Sequence, residues 1–152
     1  MRVVAPLADR RDALHPTAWR AACAAKLVLE RSTRRYDACF KTAIDVSAVL
    51  DVDDPARRWF DMWQWALTAA VAPAAGVAGI DEALPRLRAN ARRPHDVTLS
   101  DILASKVTGL AIMGRLDEAR IAAEETVAVA PDTMRGQALA SLMWIVYLLG
   151  IR

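Results

Sequence analysis

Residues 114–131 read GRLDEARIAAEETVAVAP, and the way this stretch folds decides the architecture of the chain. Gly114 closes one helix, Leu116 returns the chain to a core, and Asp117 and Glu118 sit at the positive end of the next helix. Ala119 then permits close packing. Downstream, Ala119, Ala123, Thr126 and Val127 recur at steps of three and four, while Arg120, Glu124 and Glu125 take the other face until Pro131 ends the helix. Upstream, Leu103, Val107 and Leu110 form the matching stripe of a partner helix. The link through Met113 and Gly114 is short enough to force the two helices to run antiparallel.

The stretch 100–131 resembles a tetratricopeptide repeat at Leu103, Val107, Leu110, Gly114, Leu116, Ala119, Ala123 and Pro131. The family pattern places apolar residues at fixed points, a glycine before the second helix, alanines within it and a closing proline. Three positions depart from it: Leu103 stands for the usual tryptophan, Val107 for a glycine in the first helix, and Thr126 for a late alanine. The resemblance implies an all-α chain, a right-handed superhelix of antiparallel helix pairs (a TPR-like α-solenoid).

Read in order, the chain predicts about seven helices and three and a half degenerate repeats. A leader, residues 1–15, is expected to be loosely held. Pro16 and Thr17 precede a first helix to about Arg31, with Trp19, Cys23, Leu27 and Val28 as its apolar stripe. In the second helix Tyr36, Cys39, Ala43 and Val46 occupy the places of Leu116, Ala119, Ala123 and Thr126. Asp54 before Pro55 caps a third helix, in which Trp59, Phe60, Trp63 and Leu67 share one side and Arg58, Asp61 and Trp65 the opposite side. Pro73 breaks that helix, and Ile80, Asp81, Glu82 and Ala83 restate the turn motif, with Pro85 kinking or delaying the fourth helix. After a connection at 94–97, Thr98 with Asp101 opens the fifth helix, and Asp132 or Thr133 caps a seventh. Ala78, Gly114 and Gly150, taken as equivalent turn positions, recur at a step of 36 residues, whereas Arg34 to Ala78 spans 44.

Twenty basic and eighteen acidic residues leave a net charge of +2, so electrostatics announce no nucleic-acid or membrane partner. The arginine pairs at 10/11, 34/35, 57/58 and 92/93 fall at helix ends or loops, where solvated charge explains them better than phosphate binding. The apolar run before Asp9 is too short for a secretion signal, which leads to the expectation of a cytoplasmic protein whose Cys23 and Cys39 are reduced and buried. Residues 62–80 carry no charge, but Gln64, Thr68, Pro73, Gly76 and Gly79 interrupt the run and argue against a membrane span.

Little in the sequence suggests chemistry. His15 and His95 lie in expected loops with no cysteine or paired acid at metal-ligand spacing. GVAG at 76–79 is too short and wrongly followed to cradle a nucleotide, and Asp51, Asp53 and Asp54 read as a solvated loop plus a helix cap. No catalytic residue, cofactor or metal is expected. Helical repeats expose a broad surface, so the expected function is a non-enzymatic protein or peptide interaction module of the scaffold or adaptor kind. The family resemblance also implies an alternative, a ligand- or peptide-sensing arm of a larger bacterial signalling ATPase or transcription regulator. Because the first helix of each unit lines the concavity in that family, Arg58, Asp61, Trp65, Asp101, Ser105 and Thr108 are the expected partner-binding groove. A second surface is expected on the last helix, where Leu142, Trp144, Ile145, Tyr147 and Leu148 belong to an apolar run that wraps nearly all round. As an unfinished repeat, from a domain over 16–152 truncated at its C-terminal end, that helix calls for a cover: further repeats, a second copy or another subunit. The 16 uncharged residues of 136–151 fall short of the roughly 20 that a membrane span needs.

Overall fold

A computed structural model describes residues 8–9, 11–89 and 97–150. Among them the regular elements are a short 3₁₀ turn (Arg11–Ala13) and seven α-helices: α1 (Pro16–Ser32), α2 (Tyr36–Val49), α3 (Pro55–Val71), α4 (Pro73–Ala89), α5 (Val97–Ile112), α6 (Leu116–Val129) and α7 (Asp132–Gly150). The all-helical class and the count of seven therefore hold for the described residues. The chain divides into two compact units, Met1–Gln64 and Trp65–Arg152, with the border inside α3.

In the first unit α1 packs on α2 through Trp19, Cys23 and Leu27 against Cys39, Ala43 and Val46, all buried. A polar network lies between the same helices. Lys26 Nζ donates to Thr42 Oγ1 (2.9 Å), and that hydroxyl donates to Glu30 Oε2 (2.8 Å). Glu30 and Thr42 are buried, so these bonds replace the water that folding removes from a carboxylate. Part of the expected leader is held in place: Trp19 Nε1 donates to the Ala8 carbonyl (2.8 Å), Arg11 donates to the Val49 carbonyl (3.2 Å), and the Arg11 guanidinium lies over the Trp19 ring. His15 Nδ1 accepts from the Thr17 amide and caps α1. Asp54 caps α3 as the sequence requires, accepting from the Ala56 amide (2.9 Å), and its other oxygen pairs with Arg20.

In the second unit α4 packs on α5, α5 on α6 and α6 on α7, with α5 also touching α7. Its core joins Val77, Val107, Leu110, Ala119, Ala122, Ala123 and Ile145. Thr126, standing where the family has an alanine, is buried and donates to the Ala122 carbonyl (2.7 Å), which removes the cost of its hydroxyl. Lys106 pairs with Asp81, and Arg88 with Glu125, tying α4 to α5 and to α6. Asp117 and Glu118 start α6 as expected; the Arg115 side-chain hydrogen bond holds the Glu118 carboxyl below its ordinary range.

The α1–α2 and α5–α6 turns have the same geometry. Arg34 (φ 58°) and Gly114 (φ 72°) both take the left-handed conformation. Arg34 N–H donates to Arg31 and Arg35 N–H to Glu30; correspondingly Gly114 N–H donates to Ala111 and Arg115 N–H to Leu110. This pair of bonds closes a helix with a left-handed residue. Each following helix opens on the carbonyl of the next residue, Arg35 to Cys39 and Arg115 to Ala119. The alignment of Cys39 with Ala119 is thus present in the backbone.

The expected turn at Ala78 is absent. Pro73 begins α4 at the first-turn position that proline fits, and the α3–α4 turn is Ala72 alone. Gly76 and Gly79 lie inside α4 because they are small: a Cβ on Gly76 would fall 2.3 Å from the Ala69 amide nitrogen, and one on Gly79 would fall 2.3 Å from the Trp65 ring. The 36-residue step therefore counts no turn at 78, and at 150 the chain is still in α7. Pro85 does not delay α4, which continues through it to Ala89. Thr98 and Asp101 lie within α5. Residues 1–7, Arg10, the pair at 92/93, His95 and the connection at 94–96 fall outside the described residues, as do Ile151 and Arg152.

Candidate functional site

The six residues expected to line a groove divide between the two units, and they differ in exposure. In the first unit Arg58 is half-buried, and Asp61 is buried with Arg57 Nε 3.6 Å from its carboxylate. No residue from Ala56 to Ala69 on α3 is fully exposed, so that helix presents no open charged face. The aromatic side expected of it does assemble: Trp59 meets Phe60 and Trp63 edge to face, and Arg31 lies 4.5 Å above the Trp63 ring.

In the second unit Trp65 is half-buried with its ring against Gly79, a hairpin contact between α3 and α4. Asp101, Ser105 and Thr108 share one face of α5 at steps of four and three. Thr108 is exposed, and Asp101 and Ser105 are half-buried. Both hydroxyls bond the backbone one turn back, Ser105 to the Asp101 carbonyl (2.9 Å) and Thr108 to the Ala104 carbonyl (3.1 Å). Their oxygens keep a lone pair for an incoming donor.

On α7 the expected contact surface separates into two faces. Ile145 has no exposed area and belongs to the core; Leu142 and Leu148 are partly buried against that core. Trp144 and Tyr147 remain exposed, and Leu139, Met143 and Val146, outside the expected set, are exposed with them. Periodicity does not divide the run, because almost every position from 138 to 149 is apolar; the inward face is set by which side meets α5 and α6.

A cavity of about 470 Å³ in the first unit is lined by Arg11, Trp19, Arg20, Asp51 and Asp54, among others. Three of its charged residues serve the fold, since Arg20 pairs with Asp54 and Arg11 bonds the Val49 carbonyl. Cys23 and Cys39 are buried free thiols; burial pushes Cys23 up to about 11 and raises Cys39 as well. Among the described residues no group of three or more His, Cys, Asp or Glu is placed to hold a metal ion, and no helix is long and apolar enough to cross a membrane.

No protein-family model, curated protein or solved structure matches this chain.

Proposed function

We propose that the chain is a cytoplasmic, non-enzymatic protein-interaction module, a TPR-like solenoid of antiparallel helix pairs that binds a peptide segment of a protein partner. The observation that carries this reading is the repeated turn: two helix pairs eighty residues apart close through the same two backbone bonds and the same left-handed residue. A repeated supersecondary unit stacks because one unit alone leaves an apolar side uncovered. Support also comes from α5 touching both α6 and α7, the contact scheme of stacked hairpins. The face of α5 bearing Ser105 and Thr108 offers two hydroxyl oxygens, which suits a peptide rich in backbone donors.

The test is selection from a displayed random-peptide library, followed by titration calorimetry of the enriched peptide with the 152-residue chain. The expected outcome is a single consensus, bound one to one, with at least tenfold weaker binding to Ser105→Arg or Thr108→Arg. Absence of any consensus, or a peptide that binds both variants as well as the unaltered chain, overturns the proposal.

A further inference from the structure

Residues 8–9 and 11–13 lie against the α1–α2 pair without packing into it. Ala8 is half-buried, Asp9 and Arg11–Ala13 are exposed, and the 3₁₀ turn contributes no buried residue. What holds them is polar: the Trp19 indole N–H donates to the Ala8 carbonyl, and the Arg11 guanidinium donates to the Val49 carbonyl and lies 5.6 Å over the Trp19 ring. Each of these groups meets water once its contact breaks, so release leaves no buried donor or acceptor unpaired. A segment held by a few polar contacts and no buried apolar side chain opens locally, at a free energy well below that of global unfolding.

A thiol lies behind this segment. A cavity of about 180 Å³ is lined by Ala8, Asp9 and Arg11 on one side and by Cys23 and Lys26 of α1 and Thr42 of α2 on the other. Cys23 is only 2% exposed. We infer that residues 8–9 and 11–13 form a strap that opens while α1 and α2 stay folded, and that its opening admits small electrophiles to the Cys23 thiol. Cys39 marks the contrast. It has no exposed area, lines neither this cavity nor the one of about 470 Å³, and has Glu30 and Arg31 of α1 as its charged neighbours. Reaching Cys39 requires the helix pair itself to separate.

Opening also changes the chemistry of the thiol it uncovers. Burial pushes Cys23 up to about 11, Lys26 draws it down, and Asp9 pushes it up. An open strap carries Asp9 away and wets the cavity but leaves Lys26, one turn along α1, so the uncovered cysteine supplies more of the reactive thiolate. The strap thus covers and quiets one thiol of the two. The inference is independent of peptide binding on α5, which belongs to the other compact unit.

Pulsed alkylation of the 152-residue chain with iodoacetamide at pH 8 tests it. The thiolate sulfur bonds the methylene carbon, iodide leaves, the thiol proton passes to buffer, and mass spectrometry of the digested protein reads Cys23 and Cys39 separately. Both cysteines stay protected in the unaltered chain. Arg11→Ala removes two of the three strap contacts at an exposed position, so Cys23 should react about tenfold faster while the Cys39 rate and the melting temperature stay unchanged. Equal acceleration of both cysteines, which reports opening of the helix pair, overturns the inference. So does a Cys23 rate that Arg11→Ala leaves unchanged, or a Cys23 that reacts in the unaltered chain as fast as in urea-unfolded protein.

Discussion

Exchanging residue types between the two left-handed turn positions tests the repeated hairpin directly. Gly114 and Arg34 hold the same place in the same hydrogen-bond pattern, at φ 72° and 58°. A side chain in this conformation costs about 1–2 kcal/mol through the clash of Cβ with the following carbonyl. Glycine avoids that cost but gives up about 0.4–1 kcal/mol by leaving the unfolded chain more freedom. The net difference is about 1 kcal/mol in favour of glycine at either position. No atom lies within 4 Å of a Cβ placed on Gly114, so Gly114→Ala adds no steric term and should destabilise by that amount alone. Arg34 is exposed, so Arg34→Gly should stabilise by a similar amount, with each change moving the melting temperature by about 3 °C in a chain of this size. Urea titrations followed by tryptophan fluorescence and far-ultraviolet circular dichroism measure both. If the two probes show separate transitions, each unit takes its own ΔG and the signs are unchanged. The reasoning is refuted if Arg34→Gly destabilises, or if Gly114→Ala is neutral, since either result shows that the two turns are not equivalent.

Three further outcomes follow from the packing. Gly79→Ala drives a methyl into the Trp65 ring and should cost about 1–3 kcal/mol, with a change in tryptophan fluorescence; adding Trp65→Leu should recover part of the loss in a double-mutant cycle. Thr42→Val removes the hydroxyl that donates to buried Glu30 and accepts from Lys26, so it should destabilise the first unit by about 1–3 kcal/mol despite its matched shape. A thiol raised to about 11 holds its proton more tightly in the folded than in the unfolded chain. The stabilisation from Cys23 is therefore complete below the ordinary thiol value and is lost as pH climbs through about 11; Cys39 adds in the same direction. At pH 8 a disulfide reagent should label neither cysteine until the protein is unfolded, and rapid labelling of the folded chain contradicts this.

What the sequence made legible depended on whether a residue's role was local. Asp54 announces a helix start because its carboxylate acts two residues away, on the Ala56 amide. Gly114 and the acids after it announce a turn for the same reason. Arg34 was aligned with Gly114 only through the neighbouring pattern Tyr36, Cys39, Ala43, since nothing about arginine itself favours a left-handed backbone. The misread element is the segment 72–83. Aligning Ile80, Asp81, Glu82 and Ala83 with Leu116 to Ala119 puts a turn at Ala78, but an apolar residue followed by two acids and an alanine suits the middle of a helix as well as its start, and local sequence does not separate the two. A longer-range sign was present: Trp65 with Gly79, and Ala69 with Gly76, sit at nearly equal distances either side of Ala72, as partners in an antiparallel hairpin turning there must. The groove residues failed in another way. Arg58, Asp61 and Trp65 were grouped by helical periodicity, which fixes that they share a side of α3 but not whether that side faces solvent. Asp61 is buried beside Arg57 because a charge with a partner one turn away is tolerated inside, and a neutral or charged label alone does not reveal which acid has that partner. The same limit explains α7. With apolar residues on every side, periodicity assigns no inward face; packing against α5 and α6 assigns it, burying Ile145 and leaving Leu139, Met143, Trp144, Val146 and Tyr147 exposed.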